Sequence, residues 1–251
     1  MSYLLFHVVF LVPPIFLMLA WYRGPNGMED DLRVPLAIPL VCLIAVSYTT
    51  PWDNYLVAKE VWWYGANRVI GTIGHVPIEE YLFFVLQPIL TGLFLYQYLH
   101  RYSPSLDRSS TKAPWGGAAI FIGLSLLGGI LLFDGNPETL YLALILAWAP
   151  PILGGMWLYD GETLWALRQT VLVTTFIPTF YLWIADAFAI GAGIWTIAPH
   201  YTVGLSLFGL PLEEATFFLF TNLLVVQGVL LLLYGSHTAV APKKTPNLSK
   251  R

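Results

Sequence analysis

A chain of 251 residues that is 57% hydrophobic and 11% charged, with a mean hydropathy of +0.67, has too few polar side chains to cover a water-facing surface. This excludes an ordinary soluble domain and points to an integral membrane protein. A formal charge of −3 gives no support to a nucleic-acid partner, and the single cysteine, Cys42, excludes a disulfide or a Cys-x-x-Cys metal site within one chain.

Each crossing of a bilayer takes about 20 mostly apolar residues, and seven stretches qualify. The first, Tyr3 to Trp21, has no basic residue before it and is interrupted by Pro13-Pro14, so it reads as a helix and not a cleavable signal. The second, Val34 to Tyr48, is short and leads into Pro51-Trp52-Asp53. The third, Ile78 to Leu99, opens on Pro77, Glu79, Glu80, Phe83 and Phe84. The fourth, Trp115 to Phe133, is rich in glycine; the fifth, Leu140 to Leu158, carries Pro150-Pro151; the sixth, Thr170 to Ile190, contains Asp186. The seventh, Leu205 to Leu233, repeats the opening of the third as Pro211, Glu213, Glu214, Phe217 and Phe218. Lys and Arg are retained on the cytoplasmic side. The odd-numbered loops and the tail hold ten of them, from Arg23 to Arg251, whereas the even-numbered loops hold Lys59 and Arg68. The N-terminus is therefore expected outside and the C-terminus in the cytoplasm.

Comparison of the two halves exposes a duplication. Pro13-Pro14-Ile15 recurs as Pro150-Pro151-Ile152 at an offset of 137; Asp53 followed by Trp62 recurs as Asp186 followed by Trp195 at an offset of 133; the Glu pairs recur at 134. The expected fold is an all-α membrane protein of seven helices: two three-helix repeats, residues 1–102 and 139–234, joined by a connector, 103–138, that contains the fourth helix. A disordered basic cytoplasmic tail, 235–251, follows. Three crossings reverse the chain and a fourth restores it, so the repeats run parallel about a pseudo-twofold axis along the membrane normal. Both Glu pairs, with Asp53 and Asp186 at the ends of helices two and six, then share one cleft at the outer leaflet.

Pro followed by Glu also makes an ordinary helix start, and adjacent Glu residues point about 100° apart. Capping, however, needs neither a second carboxylate nor a Phe three and four residues on, where ring and acid share a helix face. Carboxylates at the mouth of a membrane helix are costly, and their repetition points to proton donation to a hydrocarbon. Aromatic residues collect at membrane interfaces, yet Trp52, Trp62, Trp63 and Tyr64 beside Asp53 could also hold a carbocation by cation–π attraction. His75 and His200, in the same two loops, are either solvated or proton relays.

At these residues the chain resembles the membrane-embedded lycopene cyclases of the heterodimeric type, with both subunits fused into one chain. The resemblance rests on Pro51-Trp52-Asp53-Asn54-Tyr55, Val61-Trp62-Trp63-Tyr64-Gly65, Gly71 to Phe84, Gly209 to Glu214, and Thr221 to Gly228. The second half departs from the first in lacking a Trp before Asp186 and a second Trp after Trp195, which argues against two equivalent sites. The resemblance implies closure of the acyclic ends of lycopene into β-ionone rings by acid–base, non-redox chemistry. Glu79, Glu80, Glu213 and Glu214 would share the acid and base roles, with Asp53 and Asp186 as further acids. Trp52, Trp62, Trp63, Phe83, Phe84, Trp195, Phe217, Phe218 and Asn222 would contact the substrate. It implies no cofactor and no metal, and as partners lycopene and other carotenoids, membrane lipid and neighbouring carotenoid enzymes, with no nucleic acid. An ε-ring or longer-chain cyclase is the nearest alternative. A parallel-repeat transporter shares the helix plan but does not call for four Glu residues beside Phe pairs, and a retinal photoreceptor needs a lysine that the last helix lacks. A prenyltransferase would need spaced aspartates, and Glu29-Asp30-Asp31 stands alone on the opposite face. Gly191-Ala192-Gly193 is too short for a dinucleotide fingerprint.

Overall fold

The computed structural model describes residues 1–104, 106 and 112–236. The expected basic tail from residue 237 on, and part of the expected connector, lie outside the described residues. Among the described residues, seven helices are long and apolar enough to cross a membrane: α1 (Tyr3–Ala20), α2 (Arg33–Ala58), α3 (Ile78–Arg101), α4 (Ala113–Asp134), α5 (Leu140–Ala166), α6 (Arg168–Gly191) and α7 (Leu212–Tyr234). Helices α3 and α7 are the most enclosed; α3 packs on α2 and α6, and α7 on α5 and α6. Helix α4 leans on α5 and otherwise presents apolar side chains outward, with Trp115 largely and Phe133 almost fully exposed.

Several boundaries differ from those expected. Helix α2 runs ten residues beyond Tyr48, through Pro51, so Asp53 lies inside it and not past its end; Asp186 lies inside α6, within the stretch expected for the sixth helix. A proline removes one N–H from the helix ladder. Here Thr50 Oγ1 donates to the Val46 carbonyl and Asn54 Nδ2 to that of Thr50, adding side-chain bonds around the break. Helix α5 extends past Leu158 across a break at Asp160 (φ −157°, ψ 58°), whose carboxylate accepts from the Thr163 and Ser236 backbone N–H groups and hydroxyls. Helix α1 contains a π-helical stretch, His7–Leu11. Ten residues separate Tyr3 from Pro13 but nine separate Tyr141 from Pro150, and a π-bulge absorbs one extra residue.

The all-α expectation is corrected by six short strands: β1 (Trp62–Tyr64), β2 (Thr72–Ile73), β3 (Val76–Pro77), β4 (Trp195–Ile197), β5 (Ser206–Leu207) and β6 (Leu210–Pro211). The aromatic and β-branched residues of β1 to β4 suit extended backbone. Strands β2–β3 and β5–β6 are hairpins, each delivering the chain into an acidic helix mouth, so α7 begins at Leu212 and not at Leu205. Gly74 (φ +66°) leads the first turn, and a Cβ there would meet Asn54 Oδ1 at 2.3 Å. Strands β1 and β4 pair antiparallel, Trp62 opposite Ile197 and Tyr64 opposite Trp195, which brings the loops after α2 and α6 together at one end of the bundle. Arg68 lies there, donating to the Met1 and Ala192 carbonyls. Gly24, Asn26, Arg33, His100, Ser103 and Leu232 meet at the other end.

Candidate active site

Beneath the β1–β4 ribbon, α1, α2, α3, α5, α6 and α7 converge on a small pocket of about 50 Å³. Its lining contains four carboxylates: Asp53 from α2, Glu80 from α3, Asp186 from α6 and Glu214 from α7. Each half of the chain contributes two. The rest of the lining is apolar or aromatic, with Trp52, Trp62, Phe83, Trp195, Phe217 and Phe218 among them.

The local fold explains why one Glu of each pair points inward and the other does not. Adjacent residues diverge by about 100° around a helix, and the loop before each helix claims the outward member. Glu79 accepts from the Ile70 N–H at 2.8 Å, and Glu213 from the Val203 N–H at 2.7 Å. Both are fully buried, but neither lines the pocket. Each clasps the loop that feeds its helix.

Phenols hold the two inward Glu residues. Tyr3 donates to Glu80 Oε2 at 2.8 Å, and Tyr141 donates to Glu214 Oε1 at 2.7 Å. Tyr3 opens α1 and Tyr141 opens α5, so these bonds occupy equivalent places in the two halves. Sequence reading missed both residues. The signal was there, a Tyr in each half at an offset of 138, but the extra residue in α1 put it out of step with the prolines. The first half adds a third phenol: Tyr64 donates to the same Glu80 oxygen at 2.9 Å and accepts from the Trp62 indole at 3.1 Å. Burial, and then the neighbouring Glu80 charge, push the Tyr64 phenol well above its ordinary value, so it remains a donor.

The aspartates differ more. The Trp195 indole donates to Asp186 Oδ1 at 3.0 Å. Among the described residues no such donor reaches Asp53, which is 2% exposed; the Oδ2 atoms of both aspartates lack a hydrogen-bond partner. One wall beside Asp53 is a stack of rings: Trp52 lies 4.9 Å from Trp148 and 5.7 Å from Phe217, the latter pair within 2° of parallel.

Not every expected contact gathers here. Phe84 lines a larger adjoining cavity, Trp63 is half-exposed opposite Thr196, and His75 and His200 face outward. Asn222 is buried deeper in the bundle, accepting from Gln87 and Thr91 and donating to Thr179, where it ties α3, α6 and α7 together.

The family model for lycopene cyclase matches residues 1–99 and 138–232, the two acid-bearing halves without the intervening segment. The chain belongs to the lycopene cyclase family. Among characterised members, the lycopene beta-cyclase of Halobacterium salinarum is 38% identical over 231 residues, covering 92% of this chain and 95% of that protein. The bifunctional lycopene cyclase/phytoene synthase of Arthroderma gypseum is 36% identical over 247 residues, covering 91% of this chain and 41% of that protein. That of Podospora anserina is 39% identical over 203 residues, covering 74% of this chain and 34% of that protein. No solved structure matches. A cyclase of acyclic ends needs a proton donor, a base and a wall that tolerates a carbocation, and the pocket holds groups of all three kinds.

Proposed function

We propose that this protein is a lycopene β-cyclase, closing each acyclic end of lycopene into a β-ionone ring by way of the one-ring intermediate. The observation that carries the reading is the convergence of four carboxylates, two from each half, on one aromatic-walled pocket. The ring closure is redox-neutral, so carboxyl groups supply both proton and base and the reading calls on no cofactor. A carboxylic acid transfers its proton to the terminal double bond. The neighbouring alkene attacks the tertiary cation, and an adjacent C–H gives its proton to a carboxylate, leaving a ring isomeric with the starting end.

We assign the donor role to Asp53, the one of the four pocket acids to which, among the described residues, no side chain donates a hydrogen bond; an oxygen of Asp186 is also unpartnered, but the other accepts from Trp195. Glu80, with two phenol donors, and Glu214, with one, are built to carry negative charge and take the base role. Asp186 is held by Trp195 and completes the set. Trp52, Trp62 and Phe217 offer ring faces to the cation. Glu79 and Glu213 form the two mouths and do not reach the substrate.

The same reading takes the chain as two parallel three-helix halves fused through α4. Support comes from the paired β1 and β4, the matching hairpins and the matching Tyr–Glu bonds. The loop charges put the pocket toward the outer leaflet with the C-terminus in the cytoplasm. Lipid surrounds the apolar outer faces, and enzymes that make or modify carotenoids are the expected neighbours. The test is expression in a host that accumulates lycopene, with pigments separated by chromatography: β-carotene is expected, and unchanged lycopene overturns the proposal.

A further inference from the structure

The acid pocket is far smaller than the roughly 300–1,000 Å³ of ordinary ligand sites, whereas a long polyene has most of its length beyond the reacting end. A second cavity of about 390 Å³ adjoins it, enclosed by α2, α3, α5 and α7. Phe83 and Phe217 line both spaces and form the neck between them. The outer rim of this cavity is not buried. Ile44 on α2 is 55% exposed and Ile152 on α5 is 41% exposed, so the space between these helices opens sideways, toward the bilayer. Above the opening Tyr48 spans the seam: its hydroxyl donates to the Trp148 carbonyl at 3.0 Å and its ring stacks on the Trp148 indole at 5.3 Å. Trp148 in turn stacks on Trp52, whose ring joins the wall beside Asp53. A continuous run of rings thus leads from the membrane-facing seam to the acids.

We propose that this lateral cavity is a binding site for the non-reacting polyene chain, and that substrate enters it sideways from the membrane between α2 and α5, beneath the Tyr48–Trp148 pair. The inference rests on the cyclase reading for the identity of the occupant. Its place follows from the shared neck at Phe83 and Phe217 and from the apolar lining, in which Gly228 on α7 keeps the floor open: a Cβ there would approach Val41 and Met156 at 3.6 and 3.8 Å. A hydrocarbon chain dissolved in the bilayer then reaches the acids without crossing water.

The test is reversible blocking. In the full chain with Cys42→Ala, a bulky methanethiosulfonate is attached at Ile44→Cys or Ile152→Cys, with Leu126→Cys, also exposed but on α4, as the control. Labelling at either seam position is expected to lower lycopene turnover at least tenfold, with recovery on reduction, while the control keeps its rate. Lycopene bound beforehand should slow labelling at the seam several-fold and leave the control unchanged. Gly228→Leu, which fills the cavity from within, should depress turnover of lycopene more than that of a short acyclic isoprenoid bearing the same end group. Full activity after complete labelling at both seam positions overturns the proposal. So do labelling rates indifferent to lycopene, the result for a groove that holds only lipid tails. If the wild-type chain makes no ring, the cyclase reading fails, and protection from labelling by lycopene still decides whether the seam is a polyene site.

Discussion

The two halves share a scaffold and differ in how their acids are held. In both, a Tyr at the start of the first helix donates to the inward Glu, and a loop N–H engages the outward Glu. The aspartates break the equivalence: each has an unpartnered oxygen, but Asp186 also has an indole donor, whereas none reaches Asp53 among the described residues, and Glu80 has acquired a second phenol. In the proposed reading, the repeated segments supply the positions of four acids and the aromatic residues around them divide the labour. A ring closure needs such division, because a donor and a base in identical surroundings would hold their protons equally well.

Separation of the halves is the severest challenge to the comparison. Each half brings two of the four acids, so either one expressed alone should form no ring, and co-expression of 1–102 with the remainder should restore pigment; a single active half would show that one pair suffices. Next in size are the acids. Asp53→Asn, Glu80→Gln and Glu214→Gln should each cut turnover about a hundredfold or more, the scale of a positioned proton-transfer group, with normal protein level in the membrane. Asp186→Asn, in the indole-held position, should cost less than Asp53→Asn. Equal losses would mean that the halves are equivalent after all.

The phenols come third. Tyr141→Phe and Tyr3→Phe each remove one donor to a buried carboxylate and should lower turnover about tenfold, or about 1.4 kcal/mol in the barrier. Because Glu80 retains Tyr64, the Tyr3 variant should be the milder, and a double Tyr3→Phe, Tyr64→Phe variant should match or exceed the Tyr141 loss. The smallest kinetic effect belongs to the loop clasps. Glu79→Gln and Glu213→Gln should retain most cyclisation per folded molecule and show their cost as a lowered melting temperature, since a charge-assisted bond to a loop N–H is weakened. A hundredfold kinetic loss from either would return the outward Glu residues to the chemistry.

The sequence by itself determined the membrane class, the seven apolar segments, the duplication and the acidic mouths of α3 and α7, because hydropathy, proline and short motifs act over a few residues. It erred where local signals conflict: the second apolar stretch ends at Tyr48, yet α2 carries on through Pro51 to Ala58, and Leu205 reads as helix until the Phe208-Gly209 turn folds the segment into a hairpin. Only the tertiary structure decided which acids face one another. Two adjacent carboxylates are indistinguishable in a motif, and their fates depend on partners far off in the chain, Tyr3 to Glu80 across 77 residues and Tyr141 to Glu214 across 73. The β1–β4 pairing that brings the two loops together, and the seam between α2 and α5, likewise exist only once the halves pack. Contacts between distant segments leave no periodicity to read.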